Sequence, residues 1–309
     1  MQKLTIALIS GGISSEREVS LKSAEEVYKF LDKNKYNILR YDPKTDILKL
    51  VQDSKKIDAA LIIMHGIYGE DGTIQGLLDL LGIPYQGTGV LGSAIAMDKQ
   101  ISKTIYKSAG LTVPEYKIIN RNEAFNSEDC INQIGLPIVL KPLRGGSSIG
   151  MSIIKSDNEL SSSLSNSFQY DKTVLLEQYI SGIEITCGVL GNDEPFALPL
   201  VEIIPEKEYT FFDYEAKYKP GATKEICPAR IDEKLTLKAQ EYALIAHKVL
   251  NLRGYSRTDM IIKDNIIYVL ESNTIPGMTS TSLLPQAAQV AGINFSKLLD
   301  LLIEWSLEI

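Results

Sequence analysis

The sequence predicts an α/β protein, α+β in parts, with an N-terminal doubly wound parallel-sheet domain followed by two domains containing antiparallel strands. Three observations carry this. The chain opens as an apolar strand, Leu4 to Ile9, followed by Gly11-Gly12 and a helix start, the strand-turn-helix unit of a doubly wound sheet. A second strand, Asp58 to Met64, runs through a glycine-rich loop into the helix Ile74 to Leu81. Between Arg257 and Leu283, the apolar runs MII and IIYVL flank a KDN turn, which is a hairpin signature. The expected domains are 1–90, 91–179 and 180–309.

At 309 residues and 44% hydrophobic content, each domain has a core. A formal net charge of −7 disfavours nucleic acid or an anionic membrane as a main partner. Any anionic ligand must then be met by clustered lysines and arginines. Cys130, Cys187 and Cys227 form no CxxC pair, which argues against a disulfide framework and a zinc site and for a reducing cytoplasm. No run approaches the ~20 apolar residues that span a bilayer. His65 and His247 are the only histidines, too few for a histidine-based metal cluster.

In chain order, Ser15 followed by Glu18 reads as a capping box opening a helix that runs to about Leu31. Strand, glycine turn and helix N-terminus together make a site for a small anion or carboxylate; Glu16 there is also simply an acid favoured in a first helical turn. Gly66, Gly69 and Gly72 after the second strand imply close backbone approach to a ligand, although His65 is equally able to bond its own loop. Ile83 to Val90 is a short strand and turn. One helix, Leu91 to Ala109, then crosses into the second domain carrying Lys99.

A further strand ends in Lys141, and the Gly/Ser loop Pro142 to Gly150 returns toward a strand at Met151 to Ile154. Backbone N–H groups of such a loop close round phosphate oxygens and the lysine supplies a point charge; an ordinary hairpin loop has the same composition. Ser161 to Ser167 is a serine-rich helix or linker. After the strand Val174 to Tyr179, backbone groups of a domain-connecting strand could read a nucleotide base, with Glu184 available for ribose hydroxyls, although this stretch alone is a weak signal. The aperiodic stretch Glu206 to Gly221 has the length of a lid and would deliver Lys217 and Tyr218 on closing. Arg230 to Leu252 is a helix behind the hairpin.

In the hairpin, alternation puts Arg257 on the face of Asp259, and Glu271 on the face of Asn273. A three-residue turn, Lys263-Asp264-Asn265, would bring all four to one surface. Two carboxylates and an amide suit Mg²⁺, completed by substrate phosphates and water, with the arginine stabilising developing charge. A surface hairpin with solvated charges remains the alternative. Pro276-Gly277 marks a tight turn whose N–H is a candidate oxyanion donor.

The blocks GGISSEREVSL, HGIYGEDG, YQGTGV, SAIAMDK, KPLRGGSSIGMS, EQYISGIE, FFDYEAKY, CPA and LESNTIPGMTSTSL, in this order, resemble the D-alanine-D-alanine ligase family of the ATP-grasp superfamily over essentially the whole chain. The resemblance implies an ATP-grasp fold with ATP sandwiched between two antiparallel-sheet halves. It implies Mg²⁺, or Mn²⁺ in its place, on Asp259, Glu271 and Asn273. Lys99, Lys141 and Lys217 would contact phosphates, Glu177 with the following backbone at Gln178 and Tyr179 would hold adenine, and Glu184 the ribose. One D-alanine would be phosphorylated on its carboxylate and a second would attack through its amine. Arg257 and the Gly277 N–H would hold the oxyanion, Glu16 the first ammonium, and Ser282 with Leu283 the second carboxylate. Ser147 and Tyr218, linked to Glu16, would close the lid and help deprotonate the amine.

A cytoplasmic homodimer acting in peptidoglycan synthesis is expected. Two departures touch loop geometry: the KDN turn is shorter than the family's glycine-containing turn, and Gly145 stands where a larger residue is common. A D-alanine–D-lactate ligase is the competing enzyme, against which the resemblance sets Tyr218. A decayed nucleotide-binding regulator is the competing non-enzyme, against which stand the three intact metal ligands.

Overall fold

The computed structural model describes residues 3–146, 149–205 and 223–308. Elements β1 (Leu4–Ser10), α1 (Arg17–Phe30), β2 (Tyr36–Tyr41), α2 (Ile47–Asp53), β3 (Ala59–Ile63) and α3 (Thr73–Leu81) build a parallel sheet of order β2-β1-β3. Tyr85 extends it by a parallel bridge to Ala60. Ile6 through Ile9 and Leu61 through Ile63 are buried without a break, as strands covered on both faces require.

Helices α4 (Val90–Met97) and α5 (Lys99–Ser108) follow. The single helix expected here is broken at Asp98, which leaves the helical region (φ −90°, ψ 103°) and caps α5 by accepting from the Gln100 and Ile101 N–H groups. Next, β4 (Tyr116–Asn120), α6 (Ser127–Ile134), β5 (Ile138–Pro142), β6 (Ser152–Ile154), α7 (Asp157–Ser167) and β7 (Thr173–Gln178) form an antiparallel sheet of order β4-β7-β5-β6.

The third sheet contains β8 (Ile183–Gly191), β9 (Phe196–Ala197), β10 (Val201–Pro205), β11 (Thr223–Ile226), β12 (Gly254–Lys263) and β13 (Ile266–Asn273), ordered β11-β10-β8-β12-β13 with β9 beside β8. Helix α8 (Glu233–Val249) packs behind it, and α9 (Leu283–Val290) and α10 (Phe295–Ser306) follow. Helix α10 returns to the first sheet: Leu298, Leu302 and Ile303 share a core with Ile6, Leu8 and Leu61, and Asp300 accepts from Tyr36 Oη (2.8 Å) and Lys35 Nζ (2.6 Å). A second core joins α4, α5 and α8 to the third sheet.

Two local expectations are corrected. Helix α1 starts at Arg17 with Glu16 as N-cap and no side-chain cap bond; Ser14 accepts from the Glu16 N–H instead, so no capping box forms. The β12–β13 turn has two residues, because Lys263 pairs with Ile266 and both Asp264 (φ 52°) and Asn265 (φ 62°) are left-handed. This is the primed turn that matches strand twist, and Asp-Asn tolerates it.

A branched side chain opposes a positive φ. Asn265→Gly should leave stability within about 0.5 kcal/mol of the wild type, and Asn265→Val should destabilise by about 1–2 kcal/mol. Urea midpoints at constant m would show this; equal midpoints for all three proteins would remove the strained-turn assignment.

Candidate functional site

The centre of the site is set by a register shift. With a two-residue turn alone, Asp259 would lie opposite Leu270 and Glu271 would point to the other face of the sheet. Instead Met260 pairs with Val269 while Asp259 pairs with Glu271 and Arg257 with Asn273. Leu270 is the extra residue of a β-bulge. Below it Val269 and Ile267 face the core; above it Glu271 and Asn273 join Arg257 and Asp259 on the cleft face.

Asp259 is held hard. Arg257 grips it in a fork, Nε to Oδ1 and Nη2 to Oδ2, both 2.8 Å. Thr186 Oγ1 donates to Oδ1 at 2.7 Å and Asn273 Nδ2 to Oδ2 at 3.1 Å. Such charge-assisted, bidentate bonds fix position as well as charge. Two carboxylates and one amide make a hard-oxygen donor set that fits Mg²⁺ but leaves it incomplete. Among the described residues no cluster of three or more His, Cys, Asp or Glu is placed to hold an ion, so substrate oxygens and water would have to finish the shell.

The functional face of this hairpin lines an open cleft between the second and third sheets. Val139, Met151, Ile153, Ile180 and Ile261 give it apolar walls, and Glu184 stands in its lining. Gln178 and Tyr179 also line it, with their N–H groups donating to the carbonyls of Glu115 and Pro137. Lys99 and Lys141 line it as well. Lys99 Nζ is 3.6 Å from Glu271 Oε2 and donates to the Gly145 carbonyl at 2.7 Å. That bond ties the glycine loop to the start of α5. Arg144 adds to it by bonding Asp98 Oδ2 through Nε (3.0 Å) and Nη2 (2.9 Å).

Glu177 lines the cleft, yet its carboxylate is engaged by two lysines: Lys141 at 2.8 Å and Lys103 in a short ion pair. Burial alone would raise this carboxyl, but the two ammonium charges outweigh burial and hold it below its ordinary range. Lys103 is 0% exposed, and sequence reasoning missed it. The only signal was its spacing, one helical turn beyond Lys99 on the same face of α5.

The same face of the hairpin also borders a second cleft containing Glu16, His65, Glu70, Arg257, Asn273, Gly277, Ser282 and Leu283. Glu271 and Gly146 line both clefts. Glu16 is buried. A Cβ on Gly66 would lie 2.6 Å from its Oε2, and one on Gly146 3.1 Å. Two loops from different sheets thus approach one carboxylate closely enough that a side chain at either glycine would displace it. Gly66 itself adopts φ +71°. Ser282 precedes α9 but turns its hydroxyl to Thr279, accepting from the Thr279 N–H at 3.1 Å.

Glu70 was not singled out from the sequence, although the glycines around it signalled close approach. Desolvation first, and then the charge of Glu16, raise its carboxyl to about 8. Burial lowers His65 to about 4. The structure thus brings together Glu16, Lys99, Lys141, Glu177, Gln178, Tyr179, Glu184, Arg257, Asp259, Glu271, Asn273, Gly277 and Ser282. Ser147, Lys217 and Tyr218, with the expected lid Glu206 to Gly221, lie outside the described residues.

Comparison with known proteins gives a consistent picture. The family model described as D-ala D-ala ligase C-terminus matches residues 105–304, and that described as D-ala D-ala ligase N-terminus matches residues 40–88. The chain is 59% identical to a D-alanine–D-alanine ligase of Syntrophobacter fumaroxidans, covering 99% of each chain. It is 53% identical to one of Desulfotalea psychrophila, over 99% of this chain and 96% of the relative. Among solved structures, the D-alanine–D-alanine ligase from Bacillus anthracis complexed with ATP superposes with a TM-score of 0.87 at 40% identity, covering 99% of this chain and 98% of that one. The VanG D-Ala:D-Ser ligase from Enterococcus faecalis does so with 0.83 at 34%, covering 99% and 100%.

The raised carboxyl makes a signed prediction. Folded, Glu70 keeps its proton up to about pH 8; unfolded, it loses it near 4.5. Between those values the folded state binds more protons, so this group's contribution to stability falls as pH rises through the window and is constant above it. Glu70→Gln has no such loss. Its melting temperature relative to the wild type should therefore climb from about pH 5 to about pH 8 and then level. A pH-independent difference would show that Glu70 is an ordinary exposed carboxylate.

Proposed function

Because the chain belongs to the D-alanine–D-alanine ligase family, we infer that it joins two D-alanine molecules into D-alanyl-D-alanine with the conversion of ATP to ADP and phosphate, the dipeptide step of peptidoglycan synthesis. One observation carries the assignment of residues: Arg257, Asp259, Glu271 and Asn273 share the face of a hairpin that stands where two clefts meet. A nucleotide in the first cleft would present its terminal phosphate at Glu271. An amino acid in the second would present its carboxylate at the same place. That a solved relative is complexed with ATP supports a nucleotide as one of the ligands.

In this reading Lys99 and Lys141 meet phosphate oxygens, joined by Lys217, while Gln178, Tyr179 and Glu184 border adenine and ribose. Asp259, Glu271 and Asn273 would hold Mg²⁺ or Mn²⁺, which when bound neutralises charge on the transferring phosphoryl group. Glu16 pairs with the first ammonium. The carboxylate of that D-alanine takes the terminal phosphoryl group of ATP, giving an acyl phosphate and ADP. The amine of the second D-alanine, held by its carboxylate at Ser282 and Leu283 beside the start of α9, loses a proton and adds to the acyl carbon. Arg257 and the Gly277 N–H steady the oxyanion. The carbon–oxygen bond to phosphate then breaks and the amide remains. Ser147 and Tyr218 complete the network around Glu16.

Two copies are expected to pair; α3 and α4 are in contact and leave Leu80 and Leu91 exposed, which supports an interface on this side. The cytoplasm is the expected compartment: the three cysteines are free, and no helix among the described residues is long and apolar enough to cross a membrane.

The test measures ADP release with and without D-alanine and identifies the product by chromatography. Release should depend on D-alanine. Glu271→Gln, which removes a carboxylate charge without changing shape, should reduce turnover at least about a hundredfold at an unchanged melting temperature. ADP release indifferent to D-alanine would overturn the function, and a folded, active Glu271→Gln would overturn the metal assignment alone.

A further inference from the structure

We propose that Lys103 is a positioning residue of the nucleotide cleft, one that takes half of Glu177 so that Lys141 keeps an unneutralised positive charge for polyphosphate. This deepens the nucleotide reading given above and rests on it. Three observations lead here. Lys103 is wholly buried and absent from the lining of the cleft, so it meets no ligand itself. Its ion-pair partner is Glu177, whose other oxygen lies 2.8 Å from Lys141 Nζ. Lys141 does line the cleft, alongside Lys99, which Glu271 already faces at 3.6 Å.

The charge arithmetic distinguishes this from simple packing. Lys103, Glu177 and Lys141 sum to +1. Had Glu177 faced Lys141 alone, the pair would sum to zero and the cleft would meet an anion with a dipole in place of a charge. Desolvation lowers Lys103 below its ordinary range, and the Glu177 carboxylate beside it counters that in part; the short ion pair with Glu177 is what holds a charge there. Burying a lysine is unfavourable unless it is paired. A hydrophobic residue would fill the same space with less penalty, so retention of an ion here is explained by the field it leaves at Lys141.

Calorimetric titration of ATP and of AMP, at fixed Mg²⁺, into the wild type, Lys103→Met and Lys103→Met/Glu177→Gln tests this. The ratio Kd(AMP)/Kd(ATP) is the readout, because contacts to adenosine cancel in it. The summed charges are +1, 0 and +1 in that order. The ratio should fall about tenfold in Lys103→Met and recover to within about twofold of the wild type in the double variant. An unchanged ratio in the single variant, or a loss the double variant does not repair, overturns the proposal. Should circular dichroism show Lys103→Met unfolded, the double variant, in which Lys141 alone of the three carries charge, decides alone: a wild-type ratio supports the proposal and a reduced one overturns it. Wild type that binds no ATP overturns the nucleotide reading itself, a result separable from all the others.

Discussion

Strand geometry allows one parity of residue on each face of a sheet, and the site depends on an exception to it. The chain needs a tight two-residue turn at Asp264-Asn265 to suit the twist of β12 and β13. It also needs Arg257, Asp259, Glu271 and Asn273 on one side. These demands conflict by a single residue, and Leu270 absorbs the difference. Because the change of parity occurs beside the functional face, Met260, Val269 and Ile267 remain in the core below it. The neighbouring strand β8 pairs with β12 in unbroken register through this region, so the distortion is confined to β13.

Around that hairpin the charges are arranged in closed groups. Asp259 receives four donors, and Glu177 receives two ammonium groups. Buried charges are tolerated on these terms, with partners in good geometry. The outcome is that these charges hold one another in place without a ligand. Fixed donors and charges of this kind stabilise a developing anion without having to reorganise. Glu16 and Glu70 are the opposite case, two acids near each other in the second cleft, where the raised Glu70 marks a place that favours incoming positive charge. On the proposed reading, the first cleft takes phosphate and the second an ammonium group.

Much of this was legible in the sequence because it depends on local pattern. Apolar runs gave β1, β3, β7, β12 and β13; glycines gave the loops that approach Glu16; alternation paired Arg257 with Asp259 and Glu271 with Asn273. The unread parts depend on tertiary context. The expected three-residue turn led to the right face through the wrong register, since a bulge at Leu270 has no signature in the string LES. Strand β2 was unassigned because Asn37 and Arg40 interrupt its apolar pattern. The break at Asp98 looks in sequence like a helix interior residue and reveals itself as a cap only where α4 and α5 diverge. Lys103 reads as a surface lysine until Glu177, distant in sequence, is seen against it.

Helix α10 has a consequence for how the protein is made. The first sheet is synthesised by residue 63, yet Leu298, Leu302, Ile303 and Asp300 complete its covering. At ribosomal speeds the intervening chain takes on the order of ten to fifty seconds to appear. For that interval the N-terminal strands are translated but one side of their core is unfilled, an apolar surface of the sort that attracts chaperones. Completion of the first-made unit is therefore one of the last events of synthesis, and premature termination anywhere after α9 removes support from the opposite end of the chain.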